Sequence, residues 1–329
     1  MRPLSTNRML NPSRLFFLLG ALICAVVGMA RPVRAQEKAT SALPACVPSD
    51  LTALIVPEGS AVRVHEVKQE PGGKRSPARA TPGSEPEPRP TEFLERKRAY
   101  QILWKEAQHG NAAAMVNLAA SSLAGWGTKP NAGAALYWLH AAADRGYGAA
   151  LYDLGILYFN GCGVPQDPAE AFHFFDLGAR AGYLAAQVNL GYFYDRGLGV
   201  AEDRLAAAHW YLEAAKRGEA RAQYNLGDLF LHGEGVPKDE SEAFAWFQKA
   251  ALQGHTGAQI MIGSMLAAGR GGSRDLVAAY FWIFTASLDG DDRAAPMLQV
   301  LDRQLSSEQI EQAKSRAQLR LAGLQAAKN

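Results

Sequence analysis

Apolar and polar positions along this chain repeat with a period of 36 residues. Leu118, Leu154, Leu190, Leu226 and Ile262 share one phase, and Gly155, Gly191, Gly227 and Gly263 follow four of them. Ala135, Ala171, Ala207, Ala243 and Ala279 share a second phase. Trp138, Phe174, Trp210, Trp246 and Trp282 stand three residues further on. Spacings of three and four place such residues on one helical face, so each period contains two amphipathic helices. In the unit Tyr183–Gly218 the first, helix A, is predicted from about Leu184 to Arg196. Gly197 and Gly199 then end it, and the same glycine pair recurs at 125/127, 161/163, 233/235 and 269/271. The second, helix B, starts after Asp203 and ends at Gly218. Asn131, Asp167, Asp239 and Asp275 hold the phase of Asp203, where an Asx side chain caps free backbone N–H groups. Glycine inside a helix costs about 1 kcal/mol against alanine. The in-phase glycines of helix A therefore imply close approach of a neighbouring helix. The alanine and tryptophan phases of helix B are assigned to the core.

Five units follow one another at 111–146, 147–182, 183–218, 219–254 and 255–290. A partial unit precedes them from Glu92, and Asp291–Leu301 reads as a further first helix. Ser306 and Gln309 have the spacing of a capping box, opening a last helix to about Gln325 that closes the array. The repeat region thus spans 92–325. Before it, residues 68–91 carry the run KQEPGGKRSPARATPGSEPEPRP, which has the composition of an extended, disordered tether. Residues 36–67 hold only two short apolar stretches and are too few to carry a core of their own.

The pattern A-x-x-x-L-G-x-x-Y-x-x-G-x-G-V, then D, then A-x-x-W-Y-x-x-A-A-x-x-G, resembles the Sel1-like repeat (SLR), a relative of the tetratricopeptide repeat. The 36-residue length favours it over the 34 residues of the tetratricopeptide type. The first unit departs with Ala119 for glycine, and the fifth lacks the Val-Pro of its loop. The resemblance implies an all-α, right-handed α-solenoid of helix–turn–helix repeats, and a role as adaptor or scaffold in protein complexes. Exported bacterial members are similar in being envelope proteins. A cysteine-rich branch is linked to β-lactam binding and weak hydrolase activity, but it carries a cysteine pair in each repeat. This sequence does not, and that activity is not carried over.

In a stack of such helix pairs the A helices line the concave wall. Residues displaced from the core leucine on helix A are the candidates to meet a partner there: Tyr152, Ile156, Phe159 and Asn160; Val188, Tyr192, Asp195 and Arg196; and Tyr224, Asp228, Leu231 and His232. This set varies between units while the core phase does not. Its aromatic and charged members suit an extended peptide or a partner helix. Asn117, Asn189 and Asn225 recur beside the core leucine, and are read as bonding a neighbouring helix.

The N-terminus changes the compartment. Arg2, Arg8 and Arg14 precede a 15-residue apolar run, Leu15–Met29, and Val33-Arg34-Ala35 offers small residues for cleavage. Residues 1–35 read as a signal peptide cleaved near Ala35, which sends the protein to the periplasm or beyond it. Ile23 before Cys24 does not fit a lipoprotein cleavage site. Removing this segment, with five Arg and no acid, leaves 29 basic against 32 acidic residues and a net charge of −3 rather than +2. No concentrated basic face remains for nucleic acid, and no membrane span is expected after cleavage. Two cysteines, Cys46 and Cys162, stay in the mature chain. A bridge would tie the N-terminal segment to the array, but the reading adopted is two unbridged thiols.

No catalytic, cofactor or metal site is expected. The seven histidines form no H-E-x-x-H, and no Cys/His cluster has zinc spacing. The G-x-G pairs lie between helices, not after a strand. The function expected is an exported scaffold or regulator that binds a protein or peptide partner in envelope complex assembly or signalling. The alternatives are a hydrolase acting on cell-wall or β-lactam substrates, and a secreted host-interaction factor.

Overall fold

A computed structural model describes residues 90–326. The signal, the segment 36–67 and nearly all of the tether lie outside the described residues. Among the described residues all regular structure is helical, in thirteen helices. They are α1 Pro90–Gln108, α2 Ala112–Ala124, α3 Ala132–Ala143, α4 Gly148–Asn160, α5 Pro168–Arg180, α6 Leu184–Arg196 and α7 Arg204–Lys216. Then follow α8 Ala220–His232, α9 Glu240–Leu252, α10 Thr256–Ala268, α11 Leu276–Leu288, α12 Ala294–Asp302 and α13 Ser307–Ala326. The order is that of the predicted A and B helices, an all-α solenoid of helical repeats. Helix α1 begins two residues before the expected boundary. Pro90 stands at its first position, where a missing N–H is harmless.

The ends of the helices follow from the capping residues. Asn131, Asp167, Asp203, Asp239 and Asp275 have extended backbone, and their side chains accept from N–H groups of the first turn of α3, α5, α7, α9 and α11. Ser306 and Gln309 close the expected reciprocal box: the Ser306 N–H donates to Gln309 Oε1 at 2.9 Å, and the Gln309 N–H to Ser306 Oγ at 3.3 Å. The A helices end on left-handed glycines, as at Gly161 (φ 73°) and Gly233 (φ 73°). The B helices stop one residue sooner than predicted. Arg217 is the cap of α7, and Gly218 is the left-handed residue after it.

The described residues fall into two compact units, divided within α6 after Ala186. In the first unit, α2 packs on α3 and α4 on α5 within repeats, while α1 packs on α2 and α3 on α4 between them. Leu118, Leu154, Ala135 and Ala171 are all completely buried. In the second unit α8 pairs with α9 and α10 with α11, and α7–α8 and α9–α10 join successive repeats. Leu190, Ala207, Ala243, Ile262 and Ala279 are equally buried there.

The helix glycines meet the close approach they implied. A Cβ on Gly191 would stand 2.7 Å from the Tyr211 ring, and one on Gly227 2.9 Å from the Phe247 ring. In the first unit Gly155 faces Phe175 in the same way, whereas Ala119 is buried in the cluster that holds the smaller Leu139. This identifies the innermost residue of helix B, and it corrects the sequence reading. Trp138, Phe174, Trp210 and Trp246 are only half-buried. The fully buried position is the next one: Leu139, Phe175, Tyr211, Phe247 and Ile283. Trp138 and Trp210 lie in an outer layer, flanked at their edges by Tyr137 and His209, whereas Trp282 is buried in the core as expected.

The loop glycines have a second, inter-repeat reason. A side chain on Gly235 would collide with the Arg204 carbonyl, one on Gly271 with the Glu240 carbonyl, and one on Gly127 with the Arg96 carbonyl. The loops of Gly235 and Gly271 thus lie directly on the first residue of the preceding repeat's B helix, and that of Gly127 on the body of α1. At the C-terminal end α13 covers α11, burying Ala313 and Ala317. Arg320 Nη2 donates to the Leu252 carbonyl at 2.6 Å, fastening the last helix to the end of α9. Cys162, in the loop after α4, is buried and disulfide-bonded, not a free thiol as expected. Its partner lies outside the described residues.

Candidate functional site

The candidate wall residues separate by their place on helix A. In the first unit the Tyr152 ring lies against Phe175 at 5.9 Å and Tyr183 at 5.5 Å, so it serves packing between helices. Ile156 and Phe159 are half-buried and Asn160 is exposed. The Phe159 carbonyl accepts from Gln166 Nε2 at 2.8 Å, which ties the following loop to the helix end. In the second unit Val188 and Leu231 are both 4% exposed. They are core residues and offer no wall; Leu231 is packed in a cluster with Met261, Ile262 and Trp282 of the next repeat. Tyr224 is half-buried, stacked on His255 with ring centroids 4.7 Å apart and leaning on Phe247. Burial and the nearby Asp228 raise its hydroxyl pKa above the usual tyrosine value.

What remains open is Tyr192 and Arg196 on α6, and Asp228 and His232 on α8, with Asp195 half-buried beside them. Tyr192 is 39% exposed, and the Arg196 guanidinium lies 5.9 Å over its ring. Asp195 Oδ2 is 3.2 Å from Arg196 Nε, and Oδ1 is 3.9 Å from Arg204 Nε. Arg204 in turn holds Glu234 at 2.9 Å. Asp195 is therefore joined through Arg204 to the loop after α8. Burial raises its carboxyl pKa above the usual range, outweighing the two arginines that lower it. His232 Nδ1 lies 2.9 Å from the Asp228 carbonyl and 3.4 Å from its carboxylate. Hydrogen bonding to Asp228 raises the imidazole pKa against the opposing effect of burial. Beneath this patch the buried Tyr211 hydroxyl is bonded to the Asn225 side chain, so that Asn225 joins a neighbouring helix as the sequence suggested.

Arg204, Glu234 and Tyr211 were not named from sequence. A lone Tyr among the Leu, Phe and Ile residues of its phase is the signal that could have drawn attention to Tyr211. The pairing of Arg204 with Glu234 crosses a repeat boundary, and its counterpart in phase, Arg270 with Glu240, has the charges exchanged, so no residue type recurs to mark it. A second polar residue missed is Asp153, which sits where other units place asparagine. Burial raises its carboxyl pKa from 3.8 to about 7.

Chemically the open patch is a recognition surface: one exposed phenol, one exposed guanidinium, and carboxylates already engaged with cations. Among the described residues no group of three or more His, Cys, Asp or Glu could hold a metal ion. No described helix is long and apolar enough to cross a membrane.

Comparison with known proteins places these observations in a family. The Sel1 repeat model matches at residues 112–147, 148–183, 184–219, 220–255 and 256–291, each shifted one residue from the units of the sequence period. No curated protein matches the chain. Among solved structures, a Sel1 repeat protein from Oxalobacter formigenes is 31% identical with a TM-score of 0.57, covering 62% of this chain and 59% of that one. A protective antigen of uropathogenic Escherichia coli strains with an SLR fold is 26% identical with a TM-score of 0.48, covering 69% and 56% respectively. The chain thus spans less than two thirds of either of these proteins. Sel1 repeats generally mediate protein–protein interaction, and such scaffolds are typically non-catalytic. With five consecutive matches over more than half of its length, the chain belongs to the Sel1 repeat family.

Proposed function

We propose that this protein is an exported, non-catalytic interaction module that binds a protein or peptide partner across the α6–α8 face of its second unit. In this reading it serves assembly or signalling of a cell-envelope complex, in the periplasm. The observation that carries the binding site is the exposure of Tyr192 beside Arg196, on a helix phase whose other members are half-buried or buried. Tyr and Arg are, with Trp, the residue types most enriched at interface hot spots. The flanking Asp195–Arg204–Glu234 chain holds the charges in place, so a partner meets a patch that is already ordered. Export is supported by the N-terminal signal pattern and by the disulfide at Cys162, a bond that persists in oxidising compartments.

The test is site-specific photo-crosslinking in cells. A photoreactive residue at Tyr192 is expected to trap a defined partner, while the same residue at Leu205, 69% exposed on α7, is not. The trapped partner should bind the purified protein, and the double change Tyr192→Ala, Arg196→Ala should weaken that binding at least tenfold. Equal crosslinking at both positions, or binding unaffected by the double change, would remove this face from consideration.

A further inference from the structure

Cys162 is the middle residue of the Gly161–Gly163 loop. In three other loops of this phase the middle residue meets the residue thirty positions before it. Arg96 lies 4.5 Å over the Trp126 ring, Arg204 binds Glu234 at 2.9 Å, and Arg270 binds Glu240 at 2.7 Å. Three different pairs make the same clasp by three routes: a cation over a ring, and ion pairs of either polarity. At the Cys162 loop the corresponding residue is Ala132, against which Gly163 packs. Alanine has no group to complete a clasp. Cys162 is instead 2% exposed and covalently engaged in a disulfide.

The sequence holds three cysteines. Cys24 lies within the apolar run Leu15–Met29 and leaves with the export signal, so one partner remains. We propose that Cys46 and Cys162 form an intramolecular disulfide in the mature protein, fastening the segment after the signal to the α4–α5 loop where other repeats clasp their neighbours. The bond forms as the two thiols give up two protons and two electrons. A disulfide of a protein thiol oxidase in the export compartment accepts them and becomes a dithiol. The two cysteines are 116 residues apart, so the Pro-rich run Lys68–Pro90 lies inside a closed loop. The proposal rests on the export reading and not on the partner-binding face.

The exported full chain, purified without reductant, decides it. Intact mass first reports whether residues 1–35 are gone. In denaturant without reductant the wild type is expected to take up no maleimide, and after reduction two per chain. Cys46→Ser and Cys162→Ser are each expected to take up one without reduction, whereas a merely buried thiol pair would give two on the unreduced wild type. Peptide mapping of the unreduced protein should yield a linked pair containing both cysteines. Two maleimides on the unreduced wild type, or a Cys162 linked to a second chain, would overturn the pairing. A chain that keeps residues 1–35 would overturn the export reading and this pairing with it, whereas the crosslinking outcome at Tyr192 leaves both untouched.

Discussion

Asp153→Asn should stabilise this protein, and only above mildly acidic pH. Asp153 precedes the buried Leu154 of α4, at the phase where Asn117, Asn189 and Asn225 stand in other repeats. Asn225 satisfies its amide on the Tyr211 hydroxyl of the helix before it, whereas the matching residue before Asp153 is Leu139, which has no polar atom. Burial lifts the Asp153 pKa from 3.8 to about 7. The folded state then holds the proton more tightly than the unfolded state. No penalty applies below pH 3.8; it grows as pH rises toward about 7 and is constant above that. A displacement of that size corresponds to about 4 kcal/mol at 1.36 kcal/mol per pH unit. Asp153 keeps part of its surface in contact with solvent, so screening reduces the recoverable gain to about 2 kcal/mol. Asparagine removes the charge and keeps the shape. The expected result at pH 8 is a rise of roughly 5 °C in melting temperature for a domain of this size, falling to nothing near pH 4. Thermal melts of wild type and variant followed by circular dichroism at pH 4, 6 and 8 give the difference directly, since titrations shared by both chains cancel. An equal effect at pH 4 and pH 8, or a loss at pH 8, would refute burial of the carboxylate as the cause.

Three further outcomes follow from the same geometry. Gly191→Ala places a methyl group 2.7 Å from the Tyr211 ring and 3.3 Å from the Ala207 carbonyl, and should cost about 2–3 kcal/mol in chemical denaturation, against a slight gain expected from helix propensity alone. Asp203→Ala removes the acceptor for the Ala206 N–H at 2.9 Å and should cost about 1 kcal/mol, while Asp203→Asn should cost little. The His232 pKa is raised chiefly by its hydrogen bond to Asp228, so that pair's contribution is complete below the ordinary pKa of 6.5 and disappears as pH rises through the raised value. Asp228→Asn should bring the His232 titration, followed by NMR, down toward 6.5; no movement would show that Asp228 is not its partner.

Much of this architecture can be read directly from the sequence, because every repeat solves the same problem with the same residues. Five Asx caps, left-handed glycines after the A helices and a leucine at one phase leave a period that local chemistry alone explains. The errors lie where helices meet, within a repeat and between repeats. Trp210 and Tyr211 are adjacent aromatics, and a 36-residue period places both without saying which points inward. Gly191 decides it, by leaving room for the Tyr211 ring. Val188 and Leu231 occupy positions that a single amphipathic helix would leave open, yet both are buried, Leu231 against residues of the next repeat. Arg204 and Glu234 could not be paired in advance, since the equivalent contact is Arg96 on Trp126 in one loop and Arg270 on Glu240, with the charges exchanged, in another.

That variation bears on function. The loop clasps conserve a contact while changing its chemistry, which is what packing between units requires. The α6–α8 face does the reverse: its helix phases are fixed by the fold, but the residues on them differ, with Tyr192 and Arg196 in one repeat and Asp228 and His232 in the next. A surface needed only for solubility gains nothing from a half-exposed tyrosine under a guanidinium, or from carboxylates held by arginines shared between helices and loops. Ordering those side chains costs conformational entropy, and exposed ion pairs return little of it in stability. The cost makes sense where a partner uses the arrangement, because a patch ordered in advance does not have to be ordered on binding. Within the second unit, Tyr192, Arg196 and the Asp195–Arg204–Glu234 chain are therefore the residues at which mutation should alter partner affinity while leaving the melting temperature nearly unchanged.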